Sequence, residues 1–158
     1  MSYIYWFTGN YGAGKTIIGT KLKEFLQTEK RNWRKTVFYI DEDELRTITN
    51  NTDYTSVGNN KIVTDIQLIS KFLHNNTCDV IVTATSPNLE LREQFKVDMG
   101  DSVIEIYTHT CRKRKTDDLK VKDYEAPETN FVDVDTTYDN PAQSFSNLIT
   151  YLKSINKL

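Results

Sequence analysis

The chain is poor in the residues that build metal centres and covalent cross-links. It has two cysteines, Cys78 and Cys111, with no CxxC pair, and only two histidines. That scarcity argues against a zinc site and a disulfide scaffold, and both thiols read as reduced, structural cysteines. Long apolar runs are missing too. No stretch approaches the ~20 residues that span a bilayer, and "YIYWF" after Met1-Ser2 is too short and too weakly flanked to be a signal peptide. A soluble, cytoplasmic protein with no membrane partner is expected. Neither sign of charge dominates: 20 basic residues against 22 acidic ones leave a formal charge of -2. Any affinity for phosphate must therefore be local rather than a bulk attraction to nucleic acid or anionic lipid. A nucleic-acid partner is disfavoured further because no basic, aromatic-lined groove shows in the composition. Repeats and low-complexity linkers are also absent, so the 158 residues fit one domain, long enough to bury ~70% of the surface of the unfolded chain.

What is present is an alternation of short β-rich runs with helical patterns. Strands are expected at Tyr3 to Thr8, Thr36 to Ile40, Asp79 to Thr85, Val103 to Tyr107 and Phe131 to Val134. Between them Ile18, Leu22, Phe25 and Leu26 share a helical face. So do Ile62, Ile66, Ile69 and Leu73, and near the end Phe145, Leu148, Ile149, Leu152 and Ile155. Strands that are apolar throughout, alternating with helices, imply an α/β fold with a parallel sheet covered on both faces. The polar stretch 111–130, "CRKRKTDDLKVKDYEAPETN", reads as a connector or flap between the last two strands.

The segment "WFTGNYGAGKT", Trp6 to Thr16, has Gly9, four residues, then Gly14-Lys15-Thr16. A strand runs into this loop and an amphipathic helix leaves it, so loop N–H groups and a helix N-terminus converge on one anion, as a phosphate-binding loop requires. Gly9, Gly12 and Gly14, with Ala13 between them, permit the tight turn and the close approach of backbone to phosphate oxygens. Lys15 supplies a point charge to the β- and γ-phosphates of ATP, and Thr16 offers its hydroxyl to Mg²⁺.

A second stretch, "FYIDEDELR", puts Asp41 and Asp43 at the carboxyl end of the second strand, the edge where α/β sheets place ligands. Alone, such a cluster is more often an acidic first turn of a helix. Beside the phosphate loop, its carboxylates can share the work of holding Mg²⁺ and taking a proton from an acceptor hydroxyl.

With these motifs in place, the chain resembles the adenylylsulfate (APS) kinase family. The likeness rests on "WFTGNYGAGKT", on Asp41, Asp43 and Arg46 for the family's "DGD" followed by an arginine, on Ser86-Pro87 for its serine-proline turn, and on Tyr124 to Glu128 with Asp135-Thr136. The resemblance implies a five-stranded nucleotide-kinase sheet and transfer of the ATP γ-phosphate to the 3'-hydroxyl of a small nucleotide acceptor. It makes Asp43 the base and Asp41 the metal partner, and it assigns Arg46, Tyr54, Asn59 and Ser86 to the acceptor. It also leaves homodimer formation open. The departures bear on the acceptor. Where the family carries substrate arginines and an asparagine, this chain has Asn59, Ile62, Thr64 and Asp65, and its lid is shortened. Asparagine cannot replace a guanidinium fork on a dianionic sulfate-phosphate. Compensation by the basic run at positions 112–115 is one expectation. Another nucleotide conjugate as acceptor, such as a cytidine diphosphate conjugate, is a second. A nucleotide-binding regulator without catalysis is a third, disfavoured by the intact Lys15, Thr16, Asp41 and Asp43.

Overall fold

Five parallel strands form one sheet in the order β2-β3-β1-β4-β5. They are β1 (Ile4–Thr8), β2 (Val37–Asp41), β3 (Asp79–Thr83), β4 (Val103–His109) and β5 (Val132–Asp135). The computed structural model describes residues 1–28, 36–113, 115 and 117–158. Every expected strand forms, with small shifts at its ends. The central strands β1 and β3 are buried along their whole length, because alternate residues feed two separate cores. Tyr5, Phe7, Ile81 and Ile106 point to one side, where helices α1 (Lys15–Thr28) and α5 (Pro141–Ser154) contribute Ile18, Leu22, Leu148 and Leu152. Ile4, Trp6, Val80 and Val82 point to the other side, against Ile62 and Ile66 of helix α3 (Ser56–Asn75) and Phe95 of helix α4 (Leu89–Met99).

Two expectations about helix faces need correction. Ile69 and Ile155 are 37% and 38% exposed. In α3, Val63 and Ser70 are also buried, and they move the centre of the stripe away from Ile69. The helix α4 is a further element that the apolar pattern does not reveal. Its buried residues include Arg92 and Lys96, one turn apart, and both reach the buried carboxylate of Glu105 on β4, at 2.7 Å each. Arg92 also donates to the carbonyls of Ser86 and Glu125, and Lys96 to that of Thr129, 3.1 Å away. A charged stripe thus ties α4 to the sheet and to the far end of the connector. Hydrogen bonds to charged groups contribute ~1.5 to 3 kcal/mol each. Glu105→Gln should therefore lower unfolding free energy by about 2 kcal/mol in urea titrations. A stability unchanged from wild type would show that the triad is dispensable.

Helix α2 (Glu42–Thr49) follows β2 directly, so the acidic motif is both a strand end and a helix start. Among the described residues no helix is long and apolar enough to cross a membrane.

Candidate active site

The chain leaves β1 at Thr8 and enters α1 at Lys15, and the intervening loop is held close to β4. A Cβ on Gly9, whose φ is +144°, would lie 2.0 Å from the Thr108 carbonyl oxygen, so no other residue fits there without moving backbone. Gly14, at φ +97°, needs the left-handed region as well. From the sheet side, the buried Thr136 hydroxyl lies 3.0 Å from the Ala13 carbonyl and 3.1 Å from that of His109, fixing the loop to the end of β5. Lys15 folds back over the loop, its Nζ donating to the Gly9 and Asn10 carbonyls at 2.7 and 3.0 Å. Burial pushes its pKa down to about 8, against the opposing pull of Glu42, Asp43 and Asp41.

Asp41 is the N-cap of α2. Its Oδ1 accepts from the Asp43 backbone N–H at 3.1 Å, while Oδ2 accepts from Thr83 Oγ1 at 2.7 Å and from Thr16 Oγ1 at 3.4 Å. The structure therefore brings the Thr16 hydroxyl and the Asp41 carboxylate together, as the sequence reading required. Such a pair of hard oxygens fits Mg²⁺, which keeps most of its waters and takes one or two protein oxygens beside substrate phosphates. Among the described residues no cluster of three or more acidic, His or Cys side chains offers a dedicated metal cage. Asp43 lies in the first turn of α2, and its carboxyl is raised above the ordinary range, first by loss of water and then by the Asp41 and Glu42 charges.

Two cavities meet here. One, of about 230 Å³, is lined by the phosphate loop, Lys15, Thr16 and Asp41. The other, of about 1260 Å³, runs from α2 and the start of α3 to the 119–125 arm of the connector. Tyr11, Glu42, Asp43 and Thr85 line both, so Asp43 stands at the shared wall between a phosphate seat and a space large enough for a nucleotide.

The residues assigned to the acceptor are not all open to it. Arg46 is 4% exposed and every nitrogen of its guanidinium faces protein oxygen. Nε donates to Glu42 Oε1 at 3.0 Å, Nη1 to Asn51 Oδ1 and the Asp53 carbonyl, and Nη2 to Asn59 Oδ1 at 2.7 Å. Tyr54 covers the guanidinium, its ring centre 4.5 Å away, and Asn59 spends its amide N–H on the Tyr54 carbonyl. Arg46, Tyr54 and Asn59 thus form one folded unit in the wall of the larger cavity. Ser86 does not line the cavity. It is fully buried, and its hydroxyl accepts from Trp6 Nε1 at 3.1 Å.

The basic run needs a similar correction. Arg112 donates through Nε to the Thr137 carbonyl, away from the larger cavity, and Arg114 lies outside the described residues. Of the described residues lining that cavity, the cations besides Arg46 are Lys120 and Lys122. Neither lysine was foreseen, because a polar connector carries no periodicity from which to infer direction.

The connector's second half is pinned. The Asn10 side chain accepts from Val121 N–H at 2.8 Å and donates to the Val121 carbonyl at 3.0 Å. Tyr124 stacks on Tyr107, and its hydroxyl lies 3.0 Å from that of Thr8. The Glu125 N–H meets the Pro87 carbonyl. Asn10 thereby links the phosphate loop to the arm that carries Lys120 and Lys122. Asn10→Ala removes two hydrogen bonds of ~1 kcal/mol each. It should speed hydrogen exchange at Val121 by about tenfold and raise the acceptor KM several-fold. Unchanged exchange there would mean that the arm is held without the latch.

The family profile for adenylylsulphate kinase matches residues 1–148. The chain belongs to the adenylylsulphate kinase family. Among curated relatives, it is 34% identical over 143 residues to the cytidine diphosphoramidate kinase of Campylobacter jejuni, covering 88% of this chain and 81% of that one. It is 27% identical over 173 residues to the adenylyl-sulfate kinase of Staphylococcus epidermidis, covering 96% and 84%. In fold it matches the Mycobacterium tuberculosis APS kinase CysC in complex with AMPPNP and APS, at a TM-score of 0.76 and 17% identity over 96% of this chain and 98% of that one. Membership in this family makes the chain a phosphotransferase of the phosphate-loop kinase group. The family therefore holds relatives named for different acceptors.

Proposed function

We propose that this family member transfers the γ-phosphate of ATP to a hydroxyl, the 3'-hydroxyl by the family resemblance, of a nucleotide-like acceptor seated in the larger cavity. The observation that carries this reading is the position of Asp43 at the wall shared by the two cavities. A group there faces the transferred phosphate on one side and the acceptor on the other. In-line transfer asks mainly for positioning and charge stabilisation. The loop N–H groups hold the phosphates, and Lys15 leaves the Gly9 and Asn10 carbonyls to neutralise charge on the β- and γ-phosphates. Thr16 and Asp41 would hold Mg²⁺, which draws charge from the same phosphates. Asp43 accepts the hydroxyl proton, its raised pKa making it a better base than a free carboxylate.

Adenylylsulfate is the nearest named acceptor. A cytidine diphosphate conjugate such as cytidine diphosphoramidate is the second reading. It is favoured by the Arg46 guanidinium, which is already engaged by protein, and by the identity to the Campylobacter jejuni relative. The test is ADP release from Mg-ATP with a panel of adenylylsulfate, nucleoside diphosphates and cytidine diphosphate conjugates. Release that depends on one of these acceptors supports the proposal. ADP release that is the same without any acceptor would refute it.

A further inference from the structure

We propose that Glu42 is a specificity-determining residue of the acceptor site: it withdraws Arg46 from anion binding, so that the cavity takes an acceptor ending in an uncharged hydrogen-bonding group and turns away one with a further negative charge. This inference rests on the reading of the larger cavity as the acceptor site.

An acidic residue in a first helical turn is ordinarily a solvated one that favours the helix dipole. Glu42 departs from that. Its side chain is 13% exposed, and both of its oxygens have partners on the protein. Oε2 accepts from the Thr85 backbone N–H at 2.7 Å, and Oε1 lies 3.0 Å from Arg46 Nε and 2.9 Å from Arg46 Nη2. Thr85 follows β3, the neighbour of β2 in the sheet, so the carboxylate is clamped between two elements and the Arg46 fork is clamped to it. Glu42 also stands in the middle of the acidic triplet, where the family motif has glycine.

Three consequences reach the acceptor. First, the positive charge of Arg46 is neutralised at short range, and its remaining donors go to Asn51, Asp53 and Asn59. An incoming anion would have to displace protein oxygens to reach it. Second, Glu42 adds a negative charge beside Asp43 and Asp41, which disfavours further negative charge nearby. Third, the other cations lining the cavity are Lys122 and Lys120 on the connector arm, Lys120 sharing its charge with Asp117 at 2.9 Å. Phosphates are therefore drawn toward the arm, while the α2 side offers carboxylate and amide oxygens that suit a hydrogen-bond donor.

The experiment uses acceptor pairs that share base and ribose and differ at the far end. In the cytidine series these are cytidine diphosphoramidate and cytidine diphosphate. In the adenosine series they are adenosine diphosphoramidate and adenosine diphosphate, and the phosphorylated acceptor is quantified directly. The intact enzyme should show a kcat/KM at least about tenfold higher for the amidate of whichever series it uses, mainly through KM. Glu42→Gln keeps an acceptor for the Thr85 N–H but drops the charge, and it should bring that ratio to within about threefold of unity. Glu42→Ala is a second variant with the same expected direction, and the comparison in the unaltered enzyme requires no variant at all. A preference of the unaltered enzyme for the more anionic member, or a ratio that neither substitution moves, would overturn the role of Glu42 while leaving the acceptor site standing. No phosphorylated acceptor from any of the four compounds or from adenylylsulfate would overturn both.

Discussion

Lys15→Ala is expected to lower turnover by about 10³-fold while the protein stays folded. The part-buried ammonium spans the Gly9 and Asn10 carbonyls, so it is already at the loop where the phosphates bind. A donor placed where charge develops in the transition state contributes roughly 10² to 10³ in kcat, and a phosphoryl transfer relies on such charges more than on covalent help from the protein. Loss of the side chain frees the two loop carbonyls to water, which costs the fold little. The measurement is steady-state turnover of the variant beside a thermal unfolding curve. Turnover near wild type with an unchanged unfolding curve would show that the loop lysine does not serve the reaction.

Asp43→Asn should lower kcat by roughly 10² to 10⁴, the usual range for loss of a positioned base, and change ATP affinity by less than about threefold. The substitution preserves shape and keeps the backbone N–H that donates to Asp41, so the cap of α2 remains. It removes the proton acceptor at the shared wall of the two cavities. A fall in kcat without weaker nucleotide binding is what loss of a transition-state interaction looks like. ATP binding measured by calorimetry, beside kcat, separates the two. An equal loss in both would mean that Asp43 holds nucleotide rather than activating the acceptor.

Much of this arrangement is written in local patterns. The strand, glycine loop and helix from Ile4 to Thr28 are legible because each step has its own chemistry: a short apolar run, residues that tolerate positive φ, then a 3.6-residue stripe. The meeting of Thr16 with Asp41 follows from placing both at the carboxyl edge of one parallel sheet. The helix α4 was not legible, since its buried face carries Arg92 and Lys96 and their carboxylate partner is on a strand, distant in sequence. The acceptor wall was only half legible. Arg46, Tyr54 and Asn59 were singled out, but which atoms they spend on each other depends on how the 50–58 turn folds back. Glu42 had a signal that could have exposed it. A glutamate four residues before an arginine is the pattern of a helical ion pair, and here that pair lies in the wall of the larger cavity rather than on a solvated face. Lys120 and Lys122 had no such signal, because their direction is set by the tertiary contact between Asn10 and Val121.

The central claim is that phosphate passes from ATP across Asp43 to a hydroxyl in the larger cavity. Phosphorus NMR of a reaction containing the enzyme, Mg-ATP and one nucleotide acceptor tests it directly. A new phosphomonoester resonance, coupled to a ribose proton of the acceptor and growing in step with ADP, is the predicted result. ADP that grows together with free inorganic phosphate, with the acceptor's own resonances unchanged, would contradict it.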